Sequence, residues 1–142
     1  MKHRRVTVIN GPNLNLLGKR EPEIYGDMNF DQVFEELQGG FPDLSLSYFQ
    51  SNHEGELVSK IQEVGFSDHG IVFNPGGYSH TSVALADAVE AVNSPVVEVH
   101  ISNIFSREEF RKHSYISPVS AGVISGFGIR GYHLALTYLS NL

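Results

Sequence analysis

The sequence predicts an α/β fold in which a five-stranded parallel sheet is covered by helices on both faces. Short β-branched runs alternate with amphipathic segments of helical period along the whole chain. The runs are dense in apolar residues, as strands buried on both faces must be. The first and third also stop abruptly, at Gly11-Pro12 and at Asn74-Pro75-Gly76-Gly77, as strands do at turn-forming residues.

The first strand is read at residues 6–10. Over 29–37, Phe30, Val33, Phe34 and Leu37 recur at helical spacing, with Asn29 a suitable N-cap. Residues 44–49 form the second strand, and 54–64 a helix with Leu57, Val58, Ile61 and Val64 on one stripe. The third strand is 70–73. A small-residue helix follows over 79–92, capped by Ser79, with Val83, Ala84, Ala88 and Val92 inward. Residues 95–99 are the fourth strand, 107–111 a short helix, 119–125 the fifth strand and 129–139 the closing helix. Strands alternating with helices imply right-handed crossovers. Five strands at this length suit a flavodoxin-like three-layer sandwich of strand order 2-1-3-4-5, in one domain over residues 1–142.

Composition excludes several function classes. With 41% hydrophobic and 18% charged residues the chain is globular rather than disordered. A formal net charge of -6 argues against a nucleic-acid partner, which requires a basic face. The absence of cysteine removes thiolate metal sites, disulfides and cysteine nucleophiles, and fits a reducing cytoplasm. The basic start at residues 1–5 precedes too few apolar residues for a signal peptide, and no run is long enough to span a membrane. No HExxH or paired-histidine helix is present, so no metal is expected.

In a sheet of this order ligands bind where the strand order reverses, beyond the ends of strands one and three. The loops there are the two strangest in the sequence. The first runs from Gly11 to about Met28, far beyond the usual ~2–6 residues of a strand-to-helix connection. Leu14, Leu16, Leu17, Ile24 and Tyr25 are too apolar for a solvated tail, and Arg20 and Tyr25 lie between two hinge candidates, Gly18 and Gly26. The second, residues 74–82, has Gly76-Gly77 for close backbone approach and a helix start that offers N–H groups to an anion. Either loop could instead be plain structure: a packed Ω-loop, or a turn followed by a cap.

Beside them, Glu98-Val99-His100 sets a carboxylate and an imidazole on one side of the fourth strand. Such a carboxylate fixes one ring nitrogen and raises the ring's basicity. The flanking Val96, Val97 and Val99 speak against an exposed edge. Gly126-Phe127-Gly128-Ile129-Arg130-Gly131 fits the dinucleotide-binding pattern, but no further strand with a ribose-binding acid follows, so these glycines are read as close strand-to-helix packing.

Taken in order, these segments resemble a known family. Gly11-Pro12-Asn13-Leu14-Asn15-Leu16-Leu17-Gly18, Arg20-Glu21-Pro22 and Tyr25-Gly26 are similar to the signature of type II 3-dehydroquinate dehydratases. So are Gln50-Ser51-Asn52-His53-Glu54-Gly55, Asn74-Pro75-Gly76, His80-Thr81-Ser82, residues 98–103 and residues 107–111. The resemblance runs from about Val8 to Leu139. It implies anti elimination of water from 3-dehydroquinate through an enolate, giving 3-dehydroshikimate, in the shikimate pathway or in quinate breakdown, with no cofactor.

The resemblance implies Tyr25 as the base that removes the C2 proton, and His100, oriented by Glu98, as the acid that protonates the C1 hydroxyl. Free tyrosine has a pKa of about 10, so a neutral-pH phenolate costs roughly 4 kcal/mol unless a cation sits beside it. Arg20, five residues away, is the expected cation. Asn13 is assigned to the enolate, Asn74, Ser102 and the Ile101 N–H to the substrate carboxylate, and His80 and Arg111 to the ring hydroxyls. Arg107 supports the closed lid. Asp87 would reach a neighbouring subunit's site in a dodecamer built from trimers.

Two other readings compete. The same product can be made through a lysine Schiff base, but Lys2, Lys19, Lys60 and Lys112 do not end core strands, where burial would activate an amine. A non-catalytic flavodoxin-like binding module would explain the fold but not Arg20, Tyr25, Glu98 and His100 together.

Overall fold

The computed structural model describes residues 4–142. The basic start and Lys2 therefore fall wholly or partly outside the described residues. Five parallel strands, β1 (Arg4–Asn10), β2 (Leu44–Gln50), β3 (Gly70–Asn74), β4 (Val96–His100) and β5 (Gly122–Ser125), form one sheet in the order β2-β1-β3-β4-β5. This is the expected order. β4 is an interior strand, and every one of its residues is buried.

The sheet separates two apolar layers, as the period-two alternation of its strands demands. On one face Val6, Val8, Val72, Val97 and Val99 pack with α2 (Phe30–Gly40) and α5 (Arg130–Ser140). On the other Ile9, Ile71, Phe73 and Val96 meet α3 (Glu54–Val64) and α4 (Val83–Ala91). Asn29 caps α2 through a complete capping box with Gln32. At the far end, Gly131 lets α5 lie against β4, since a Cβ there would stand 3.2 Å from Val99 Cγ1. Of the three closing glycines, Gly131 alone serves the expected strand-to-helix packing; Gly126 and Gly128 take left-handed backbone at φ 97° and 63°, and a Cβ on Gly128 would meet nothing within 4 Å.

Most boundaries shift by a few residues, β1 starting at Arg4 and α2 running on to Gly40, and three elements differ in kind or phase. The helix expected over 79–92 begins at Val83, because Ser82, not Ser79, accepts the Leu85 N–H at 2.9 Å. Ser79 is instead buried in a 3-10 turn over Gly76–His80. That phase turns Leu85, Ala88 and Val89 inward and leaves Val83 exposed, so the inferred small-residue stripe was rotated. β5 starts at Gly122 rather than at 119, since Pro118 has no N–H for a ladder and Ser117–Val119 forms a 3-10 turn. The expected helix over 107–111 is a 3-10 turn at Glu109–Lys112.

Candidate active site

The loops after β1 and β3 are locked together at the switch point. Gly11 N–H donates to the Asn74 carbonyl at 2.7 Å, and a Cβ on Gly11 would stand 2.5 Å from the Pro75 oxygen. Gly76, at φ 61°, turns the second loop back against Pro12. Between these loops and the end of β4 lies a cleft of about 130 Å³. Asn13, Arg20, Tyr25, Asn74, His80, His100, Ile101, Ser102, Arg107 and Arg111 all line it. From the second loop the lining comes from Gly76, Gly77 and His80 rather than from the first turn of α4, so the helix start expected to offer N–H groups is not in the wall.

The long first loop is folded, not loose. Leu14 and Leu17 are buried anchors, a 3-10 turn spans Leu14–Leu16, and α1 (Pro22–Tyr25) presents Tyr25 to the cleft. Gly18 and Gly26 flank this segment at φ 91° and 89°, conformations that favour glycine. Leu16 and Ile24, two of the apolar residues that spoke against a solvated tail, are exposed.

Two guanidinium groups attend Tyr25. Arg20 lies over its ring, 5.1 Å from the centroid, and pairs with Glu21 at 3.5 Å. Arg107 Nη1 donates to the Tyr25 hydroxyl at 2.8 Å and to Ser102 Oγ at 3.2 Å. The sequence reading set Arg20 beside the phenol and gave Arg107 only lid support; the hydroxyl contact belongs to Arg107. Arginine has no acceptor, so the phenol oxygen must accept this bond, which strengthens as that oxygen gains charge.

At the end of β4, His100 and Glu98 form a buried pair. Nε2 of His100 donates to Glu98 Oε2, and among the described residues Nδ1 has no hydrogen-bond partner. Glu98 does not line the cleft; it stands behind His100 with no exposed surface. Ser114 Oγ donates to its Oε2 at 2.9 Å and Ser117 Oγ to its Oε1 at 2.6 Å. Burial alone would push this carboxyl up. The His100 hydrogen bond and charge, with the Ser117 and Ser114 hydroxyls, outweigh it and hold the group below its ordinary value.

The His80 ring stacks near His100 at 6.3 Å, and its Nδ1 donates to the His113 carbonyl at 2.8 Å. Desolvation first, then the His100 and Arg111 charges, lower its pKa against the opposing pull of that carbonyl and Glu98. Such an imidazole is neutral at physiological pH. Asn74 is held from both ends: its Oδ1 accepts the Gly76 N–H at 3.1 Å, and its Nδ2 donates to Tyr132 Oη at 2.9 Å. Asn13 has left-handed backbone at φ 70°, and its N–H donates to Asn52 Oδ1 at 3.0 Å.

The fold thus gathers ten of the twelve expected residues around one cleft, with Glu98 one layer behind. Asp87 stands apart, exposed on α4 and away from this cleft. Sequence reasoning missed Ser114, Ser117 and the Tyr132–Asn10 pair behind Asn74. The only available signal was polar: Asn10 closes an apolar run, and Ser114 and Ser117 stand three residues apart before a proline.

The sequence model for "Dehydroquinase class II" matches residues 4–140. The chain belongs to the class II dehydroquinase family. It is 52% identical over 140 residues to a 3-dehydroquinate dehydratase of Aliarcobacter butzleri, covering 97% of this chain and 85% of that one. To a 3-dehydroquinate dehydratase of Helicobacter hepaticus it is 53% identical over 135 residues, covering 93% and 85%. The crystal structure of the type II dehydroquinase from Butyrivibrio crossotus superposes with a TM-score of 0.94 at 44% identity, covering 97% of this chain and 98% of that one. A class II dehydroquinase is a hydro-lyase, and the cleft is lined by one phenol, two imidazoles and three guanidinium groups. Among the described residues no cluster of His, Asp or Glu could hold a metal ion, and no helix is long and apolar enough to cross a membrane. Among the described residues Lys19, Lys60 and Lys112 lie off the cleft, Lys60 paired with Glu63 and Lys112 with Glu109.

Proposed function

We propose that this dehydratase, a single domain over residues 1–142, converts 3-dehydroquinate to 3-dehydroshikimate by anti elimination, with Tyr25 phenolate as base and His100 as acid. The carrying observation is that two differently equipped proton-transfer groups line one cleft. Tyr25 accepts a guanidinium hydrogen bond from Arg107 beneath the Arg20 cation, while His100 is backed by the Glu98 carboxylate. The Arg107 hydrogen bond strengthens as charge develops on the Tyr25 oxygen, and the Glu98 carboxylate orients the His100 ring.

In the reaction the C2–H bond breaks and its proton passes to the Tyr25 oxygen. The bonding pair moves into the C3 carbonyl, whose oxygen becomes the enolate, stabilised by Asn13. The enolate then collapses to a C1–C2 double bond as the C1–O bond breaks. His100 supplies the proton that lets the hydroxyl depart as water. Asn74, Ser102 and the Ile101 N–H take the carboxylate, and His80 and Arg111 the ring hydroxyls. Arg107 acts at the phenol as well as in closing the lid. In a cytoplasmic dodecamer of trimers, exposed Asp87 would complete a neighbour's cleft.

The test is turnover, read as absorbance of the product's conjugated enone without added metal or nucleotide. Tyr25→Phe and Arg20→Ala should each lose at least ~100-fold, the low end for a positioned base. Borohydride with substrate should leave the enzyme active. Covalent trapping, or wild-type rates in either variant, would overturn the reading.

A further inference from the structure

We propose that Ser114 and Ser117 are positioning residues for proton donation by His100, acting through Glu98. A carboxylate buried as deeply as Glu98 is held in one orientation only if its lone pairs are met by donors. Three donors converge on it: His100 Nε2 and Ser114 Oγ on Oε2, and Ser117 Oγ on Oε1. The His100 contact alone would leave Oε1 bare and the carboxylate free to rotate about its last bond. The Ser117 hydroxyl at 2.6 Å removes that freedom, and so fixes the imidazole that the carboxylate orients.

The serines are themselves fixed. Ser114 Oγ accepts the Ile116 N–H at 3.1 Å and the Ser117 N–H at 3.2 Å, so its one proton is committed to Glu98. This turn also ties in the rest of the cleft wall. Arg111 lies just before it, the His113 carbonyl holds His80 Nδ1, and the Tyr115 N–H donates to the Ser79 carbonyl at 2.7 Å. One segment, 111–117, thus braces both histidines of the cleft from behind. Neither serine lines the cleft, so any effect on catalysis must be transmitted.

The inference rests on His100 being the acid, and steady-state kinetics of Ser117→Ala, at a half-buried position, tests it. Because hydrogen bonds to charged groups are the strong ones, kcat should fall about tenfold while KM stays within about twofold. Ser117→Thr, which keeps the hydroxyl, should restore kcat. In a Glu98→Gln background the same truncation should cost little, because the group through which the serine acts is already altered. Ser114→Ala should lower kcat as well, with an added loss of stability because the Ile116 and Ser117 N–H groups lose their acceptor. Wild-type kcat in Ser117→Ala overturns the proposal, as does a loss that Thr does not restore or that is undiminished in Glu98→Gln, which marks a structural role only. If His100→Ala itself turns over normally, the assignment of the acid fails instead, independently of the serines.

Discussion

Tyr132→Phe removes one oxygen from the core, and the structure gives the cost of doing so. Tyr132 is fully buried on α5; its hydroxyl donates to Asn10 Oδ1 at 2.8 Å and accepts from Asn74 Nδ2 at 2.9 Å. Phenylalanine fills the same space, so no cavity term arises, but two buried amide atoms lose a partner. Asn10 keeps its weaker bond to Tyr48 Oη at 3.3 Å, and Asn74 keeps Gly76. At about 1–2 kcal/mol for each orphaned atom, the variant should lose roughly 2–4 kcal/mol. For a domain of this size that is a fall in Tm of roughly 6–12 °C. Thermal unfolding by circular dichroism measures it. Asn74 also loses the partner that aims its amide, so KM for 3-dehydroquinate should rise more than kcat falls. A Tm within about 2 °C of wild type would refute the argument that the hydroxyl bridges two otherwise unsatisfied groups.

Two further perturbations follow from the same geometry. Glu98 has a native pKa below its ordinary 4.5, so as pH falls the unfolded chain takes up this proton first. Its stabilising contribution is therefore present above pH about 4.5 and lost as pH falls through the lower native value. Denaturant unfolding at a series of acid pH values should show a shallower decline in Glu98→Gln than in wild type, and an unchanged slope would contradict the linkage. Gly11→Ala would drive a methyl group to 2.5 Å from the Pro75 oxygen, a backbone atom that cannot move aside cheaply. It should cost about 1–3 kcal/mol and reduce turnover by spreading the two loops, and wild-type stability and rate would show that the loops are not locked.

The fold was legible because its signals are redundant. Apolar runs such as 70–73 and 96–99 can only be buried strands in this context, and the order of strands and helices leaves few topologies. What misled was local competition between two equivalent signals. Ser79 and Ser82 can each cap a helix, and only the burial of Leu85 and Val89 decides for Ser82. The cleft was legible where chemistry must be near the chain's own turns: Asn13, Arg20 and Tyr25 share a loop, and Glu98 and His100 share a strand face. Contacts across 82 residues, such as Arg107 to Tyr25, leave no periodic trace, and neither do those of Ser114 and Ser117 with Glu98.

The central claim, that base and acid are separate groups on separate elements of one cleft, is tested most directly with 3-dehydroquinate deuterated at C2 on the side anti to the C1 hydroxyl. Wild-type enzyme should lose that deuterium as product forms. His100→Ala should still wash it out into solvent while making almost no product, because enolate formation needs only the base. Tyr25→Phe should do neither. Product that retains the anti deuterium, or washout by Tyr25→Phe at the wild-type rate, would contradict the account.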